Sequence, residues 1–186
     1  MARILIFYAS TEGQTRKIAQ FIAWRLRQSG HEGEVFDVQS VDAAFSFAGI
    51  DGVLVGGSVH YGRHQKTLET FLRRHRDVLQ RLPCGFFSVS GAAGDPGKQG
   101  KDEAHGFAAR LLRRVDWKPV DIALFAGAIR YTRYNPIKRW VMRRIAASRG
   151  RGTDTRRDYE YTDWDAVGRF ADQFVAMVEE GRAVRA

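Results

Sequence analysis

Ile4-Leu5-Ile6-Phe7-Tyr8-Ala9-Ser10-Thr11-Glu12-Gly13-Gln14-Thr15 is the stretch that decides the fold. Its apolar half, Ile4–Tyr8, is an unbroken run of strand length, as expected for a strand buried on both faces of a parallel sheet. Its polar half gathers three hydroxyls and a glycine. Immediately afterwards Ile18, Ala19, Ile22, Ala23 and Leu26 recur at helical spacing, and Ser29-Gly30 supplies the exit. A loop of this kind presents hydroxyls and backbone N–H groups at a helix N-terminus, where the dipole favours an anion. Gly13 lets the chain curl tightly. The loop lacks the lysine of a P-loop and has no G-x-G-x-x-G, so it suits a terminal monophosphate better than a magnesium-bound triphosphate.

Outward from this unit the alternation repeats. Strands are expected at Glu34–Val38, Gly52–Ser58, Cys84–Ser90 and Val120–Ile129. One helix is expected from Leu68 to Leu82, ending at Pro83, and another through Phe107–Val115. A last helix starts near Thr162-Asp163, with Asp163 as its cap. Strands alternating with helices require right-handed crossovers, hence an α/β three-layer sandwich around a five-stranded parallel sheet. Ligands in such sheets bind beyond the carboxyl ends of the strands. That singles out Ser10–Thr15, Val59–His64, Gly91–Gly100 and the region after Ile129.

The chain has 186 residues, enough for one domain with a sizeable core, read as spanning 1–186. Its 30 basic and 21 acidic side chains give a net charge of +9. That excess sits in one place: residues 130–157 hold ten basic groups against a single acid, Asp154. The rest of the chain is neutral, so a nucleic-acid-binding module is an alternative with no groove-reading motif behind it. One cysteine, Cys84, excludes a disulfide framework and a multi-cysteine zinc site, and it is expected as inert core. No metal site is expected. No apolar run approaches the roughly 18 residues of a spanning helix. The start, Met1-Ala2-Arg3 and a short apolar run, is a poor signal peptide, and cytoplasmic residence is expected.

The first loop, with its flanking strand and helix, resembles the FMN-binding signature of flavodoxins. The resemblance implies a flavodoxin-like sheet of order 2-1-3-4-5 with FMN on Ser10, Thr11, Glu12, Gly13, Gln14 and Thr15. It also implies a second flavin loop at Val59, His60, Tyr61 and Gly62, with Tyr61 as the stacking aromatic. A third lies at Ser90, Gly91, Ala92, Ala93 and Gly94, where no aromatic is available and one flavin face is left open. Further along, Arg130-Tyr131-Thr132-Arg133-Tyr134, the basic helix, Thr153-Asp154-Thr155-Arg156 and Tyr161-Thr162-Asp163-Trp164 are unlike simple flavodoxins. They resemble the quinone-dependent (menaquinone-type) protoporphyrinogen IX dehydrogenases, from about Ile4 to Phe174. His60 stands where that resemblance implies Arg. It implies oxidation of protoporphyrinogen IX in haem biosynthesis, with a membrane quinone, menaquinone or ubiquinone, as acceptor. The alternative of another class is a flavodoxin-type electron carrier without a substrate of its own, whose acidic docking face is missing here.

In the basic segment Asn135-Pro136 reads as an N-cap and first helical residue. Ile137, Trp140, Val141 and Ile145 share one arc of that helix. Arg139 and Arg143 lie opposite, and Arg144 intrudes on the apolar arc. Such a helix suits an anionic membrane surface, on the cytoplasmic face of the inner membrane, with arginine stems snorkelling to headgroups. Arg130, Arg133, Lys138, Arg139, Trp140, Arg143 and Arg144 are therefore the expected substrate or membrane contacts, Arg130 and Arg133 facing the propionates. Homo-oligomerisation is left open. His60 and His64 flank the second loop and are weighed as proton carriers.

Overall fold

The computed structural model describes residues 1–95 and 97–183. Pro96, inside the loop expected over Gly91–Gly100, lies outside the described residues. Five parallel strands form the body of the sheet: β1 (Arg3–Ala9), β2 (Glu32–Asp37), β3 (Gly52–His60), β5 (Cys84–Ser90) and β6 (Asp121–Ala126). Their order is β2-β1-β3-β5-β6. The sheet has a sixth member not expected from the sequence. The two-residue β4 (Arg63–His64) folds back antiparallel on the end of β3, pairing Val59 with His64.

Helices cover both faces. On one side α1 (Gln14–Gln28) and α6 (Trp164–Ala183) pack on Ile4, Ile6 and Phe87 through Ile18, Ile22, Phe170 and Phe174. On the other, α2 (Lys66–Arg74), α3 (Arg76–Leu79) and α4 (Lys98–Val115) enclose Leu5, Phe7, Val55 and Phe86. Successive residues of β1 thus feed opposite cores, which is why its run is apolar throughout. The glycines of β3 are set by packing: a Cβ on Gly56 would lie 2.1 Å from the Phe87 ring.

Two expected boundaries shift. The single helix expected over Leu68–Leu82 is broken at His75, which ends α2 and caps α3 while its ring packs on Phe47 and Phe71. The strand expected over Val120–Ile129 stops at Ala126. Gly127 makes a last hydrogen bond to the Ser90 carbonyl, and the chain then leaves the sheet. Beyond it, β7 (Ala128–Ile129) pairs antiparallel with β8 (Tyr159–Glu160). The basic segment is the excursion between those two strands and contains α5 (Pro136–Ser148). Asn135 caps α5 by accepting the Lys138 N–H at 2.8 Å. The excursion has its own small core of Ile129, Tyr131, Tyr134 and Ala146, with Met142, Tyr159 and Tyr161 against it.

Candidate functional site

The loop after β1 is built to leave donors unused. Ser10 Oγ accepts the Gly13 N–H at 3.0 Å, and Gly13 adopts φ +91°, which turns the chain into α1. The first helical bond runs from the Lys17 N–H to the Gly13 carbonyl, so the amides of Gln14, Thr15 and Arg16 precede the helical ladder. Thr15 is fully buried, and its hydroxyl has no hydrogen-bond partner. A buried hydroxyl without a partner costs of order 1–3 kcal/mol unless something arrives to bond it.

Thr15 faces a cavity of about 240 Å3 at the carboxyl ends of β1, β3, β5 and β6. Of the residues expected at a cofactor, Ser10, Glu12, Gln14, Thr15, Val59, His60, Tyr61, Ser90 and Gly91 form its wall. Thr11, Gly13, Gly62, Ala92, Ala93 and Gly94 are not part of that wall. Thr11 is bonded to Gln65, while Ala92–Gly94 form a 3-10 turn closed by Ser90 Oγ. Ser58, next to Val59, contributes a second buried hydroxyl without a partner. Tyr61 is the other anomaly. It is 92% exposed and holds φ +48°, a conformation that bulky side chains seldom adopt. The hairpin thus presents a bare aromatic ring at the cavity's edge. The fit to a phosphorylated, flat aromatic ligand is good, with free donors and a buried hydroxyl at one end and an uncovered ring beside the slot.

The excursion forms the opposite wall. Met142, Ile145 and Ala146 of α5 line it, with Lys138, Arg149 and Arg151. It also grips the phosphate-type loop. Glu12 accepts from the Tyr134 hydroxyl at 2.6 Å and from Lys138 Nζ at 2.7 Å. Burial, and then the Glu12 carboxylate, hold the Tyr134 phenol well above its ordinary pKa, so it stays a donor. Gln14 donates to Thr162 at 2.9 Å and accepts from Arg130 Nη2 at 2.9 Å. Arg130 is further paired with Asp158 at 3.5 Å and Glu160 at 3.9 Å, so it is turned inward as a strut. The expectation that it faces a substrate does not match this placement. Arg139 is likewise engaged, donating to the Tyr131 and Tyr134 carbonyls. Arg133 stands beside Gly13, while Trp140, Arg143 and Arg144 lie on the exposed part of α5.

Arg149 and Arg151 belong to the cavity wall and were not among the expected site residues. Both bond Asp95, at 2.9 and 2.5 Å, and so tie the far end of the excursion to the loop after β5. The available signal was Asp95 itself, an acid at the end of an otherwise small, uncharged loop facing a basic segment.

The histidines differ from each other. His64 donates to or accepts from Ser88 Oγ at 3.0 Å, and burial lowers its pKa to about 4, which keeps it neutral and a poor proton acceptor. His60 lines the cavity, where burial lowers its pKa, Glu12 opposes that shift and Lys138 adds to it. Cys84 is buried at the start of β5 with its thiol pushed up to about 12, the inert core residue expected. Among the described residues no cluster of His, Cys, Asp or Glu could hold a metal ion, and no helix is long and apolar enough to cross a membrane.

The chain is similar to several known proteins. The flavodoxin domain family model matches residues 5–156. The protein named protoporphyrinogen IX dehydrogenase [quinone] from Escherichia coli (strain K12) is 31% identical over 178 residues, covering 96% of this chain and 97% of that protein. Its namesake from Leishmania major is 32% identical over 94% of this chain and 75% of its own length. Among solved structures, oxidised flavodoxin 1 from Bacillus cereus superposes with a TM-score of 0.57 at 17% identity, covering 94% of this chain and 98% of that one.

Proposed function

The chain belongs to the flavodoxin-domain family and, within it, to the quinone-dependent protoporphyrinogen IX dehydrogenases, and from that premise we propose how its cavity works. The reaction is oxidation of protoporphyrinogen IX to protoporphyrin IX, with FMN as cofactor and a membrane quinone as acceptor. Six electrons and six protons leave the porphyrinogen, and three quinones become three quinols. The observation that carries the cofactor reading is the partnerless Thr15 hydroxyl beneath the free amides of α1, facing a slot with Tyr61 at its edge. FMN, when bound there, supplies two-electron redox chemistry, and the protein supplies its placement.

The chain's own residues have separate tasks. Ser10, Thr15 and the first-turn amides would hold the phosphate. Ser58 would offer the cofactor a hydroxyl, and Tyr61 an aromatic face. Met142, Ile145 and Ala146 keep water from the apolar side of the cavity. Lys138 and Arg149 line the wall, paired with Glu12 and Asp95 but still partly exposed, and the donors those pairs leave open would meet the substrate's propionates.

The same reading places the protein on the cytoplasmic face of the inner membrane. Ile137 and Trp140 are 78% and 60% exposed, Val141 and Ile145 are exposed beside them, and the Arg144 guanidinium lies 5.4 Å from the Trp140 ring centre. An uncovered apolar stripe edged by arginines matches an anionic lipid surface, where each basic group contributes about 1 kcal/mol. Because Ile145 also lines the cavity, that stripe leads from lipid toward the site, which suits a lipid-confined acceptor. An electron carrier without a substrate has no use for such a wall.

The decisive assay mixes FMN-reconstituted protein with protoporphyrinogen IX and a quinone in anaerobic buffer and follows porphyrin fluorescence. An enzyme-dependent rise that requires the quinone is expected. FMN binding without any such rise overturns the dehydrogenase reading.

A further inference from the structure

The ten cations of residues 130–157 are not equivalent. Arg130, Lys138, Arg149, Arg151, Arg156 and Arg157 are each ion-paired, and Arg139 is spent on two carbonyls. Arg133, Arg143 and Arg144 have no ion pair among the described residues; the last two lie on the exposed part of α5, away from the loop after β1, which leaves Arg133. Its side chain is exposed, but the backbone that carries it is held. It ends the 3-10 turn Tyr131–Arg133, closed by its own N–H to the Arg130 carbonyl at 3.0 Å. That turn is anchored by Tyr131, which is fully buried and donates its hydroxyl to the Gly152 carbonyl at 3.0 Å. The flanking residues fasten the turn to the loop after β1, Arg130 through Gln14 and Tyr134 through Glu12. Between them, Arg133 Nη1 lies 3.8 Å from the position a Cβ on Gly13 would occupy. The guanidinium thus reaches the one residue of the loop that has no side chain to keep it away.

On that juxtaposition we propose that Arg133 is the counter-charge for the terminal phosphate of the ligand held by the Ser10–Thr15 loop. The loop itself contains no cation, and Glu12 makes it anionic. A phosphomonoester dianion there meets neutral donors from one side, the Thr15 hydroxyl and the helix amides. Arg133 supplies the positive charge from the other, with planar donors that suit two phosphate oxygens. The excursion, on this view, completes the cofactor site as well as walling the substrate cavity. The proposal rests on the FMN reading, and the experiment separates the two.

Binding of FMN and of riboflavin, which lacks the phosphate, would be measured by quenching of flavin fluorescence in the wild-type protein, R133Q and R81Q. Arg81 is exposed before β5, at the far end of the sheet, and R81Q removes the same unit of charge there. For R133Q we expect about a 10-fold loss of FMN affinity, no change for riboflavin, and a weaker salt dependence of FMN binding. R81Q should match the wild type for both ligands. Equal losses for FMN and riboflavin in R133Q, or no loss for either, would overturn the role of Arg133 while leaving FMN binding established. A wild-type protein that quenches neither flavin would overturn the cofactor reading and the proposal with it. Thermal unfolding of unliganded R133Q should match the wild type, and a lowered Tm would assign Arg133 to the fold instead.

Discussion

Acidification should destabilise the fold through His64. The ring sits under β3, close enough that a Cβ on Gly57 would be 2.9 Å from its Cδ2, and it bonds Ser88 of β5. Its pKa falls from 6.5 to about 4 because burial disfavours the imidazolium. Between those values the unfolded chain binds a proton that the native chain refuses, so stability falls as pH drops through 6.5, and the loss is complete near 4. Linkage puts this group's share at about 2 kcal/mol between pH 7 and pH 5. With a urea slope of about 2 kcal/mol per molar for a domain of this size, the midpoint should drop by about 1 M from this group alone. The assay is urea unfolding at both pH values for the wild type and H64N, whose amide keeps a partner for Ser88. His60 and His75 are also lowered by burial, and they and the carboxylates remain in both proteins, so the difference isolates His64. H64N should be less stable at pH 7 and show a visibly smaller acid shift. Identical shifts in both proteins would refute the reasoning, because the imidazole would then be titrating as freely in the native state as in the unfolded one.

Three further outcomes are expected. Y61A should change stability by less than about 0.5 kcal/mol, since the ring touches little, while FMN affinity falls by about 5- to 10-fold in a fluorescence titration. Y134F removes the 2.6 Å donor to Glu12 and the acceptor for the Arg130 N–H, and should cost about 1–2 kcal/mol in chemical unfolding. W140E alters an exposed position on α5, so its Tm should hold while sedimentation with anionic liposomes falls by about 10-fold. Unchanged sedimentation would detach α5 from the membrane reading.

The strand and helix grammar was legible because each element carries its own periodicity. β1 reads as a continuous apolar run since both its faces are covered, and α1 shows its buried stripe directly. The Ser10–Thr15 loop was legible because its chemistry is local: hydroxyls, a glycine and a helix start lie in consecutive positions. The excursion was legible in charge and in its helix cap but not in its wiring. Nothing in Arg130 distinguishes a strut from a substrate ligand until Gln14, Asp158 and Glu160 surround it. Arg149 and Arg151 became site residues only through Asp95, more than fifty positions away. The break at His75 and the short β4 were hidden for a related reason. Both depend on rings and strands brought in by tertiary packing, which leave no mark on the local pattern.

Glu12 and Gln14 carry a consequence of their own. Through Tyr134, Lys138 and Arg130 they join the cofactor loop to the segment that bears the exposed stripe of α5, and that segment has a core of its own. On the proposed reading, lipid beneath the helix and a ligand in the loop would act on one bonded assembly. Thermodynamic reciprocity then applies: whatever factor a membrane adds to the cofactor's affinity, the cofactor returns to the membrane's. The vesicle affinities of the empty and the loaded protein should therefore differ by the same factor by which vesicles change the flavin's affinity.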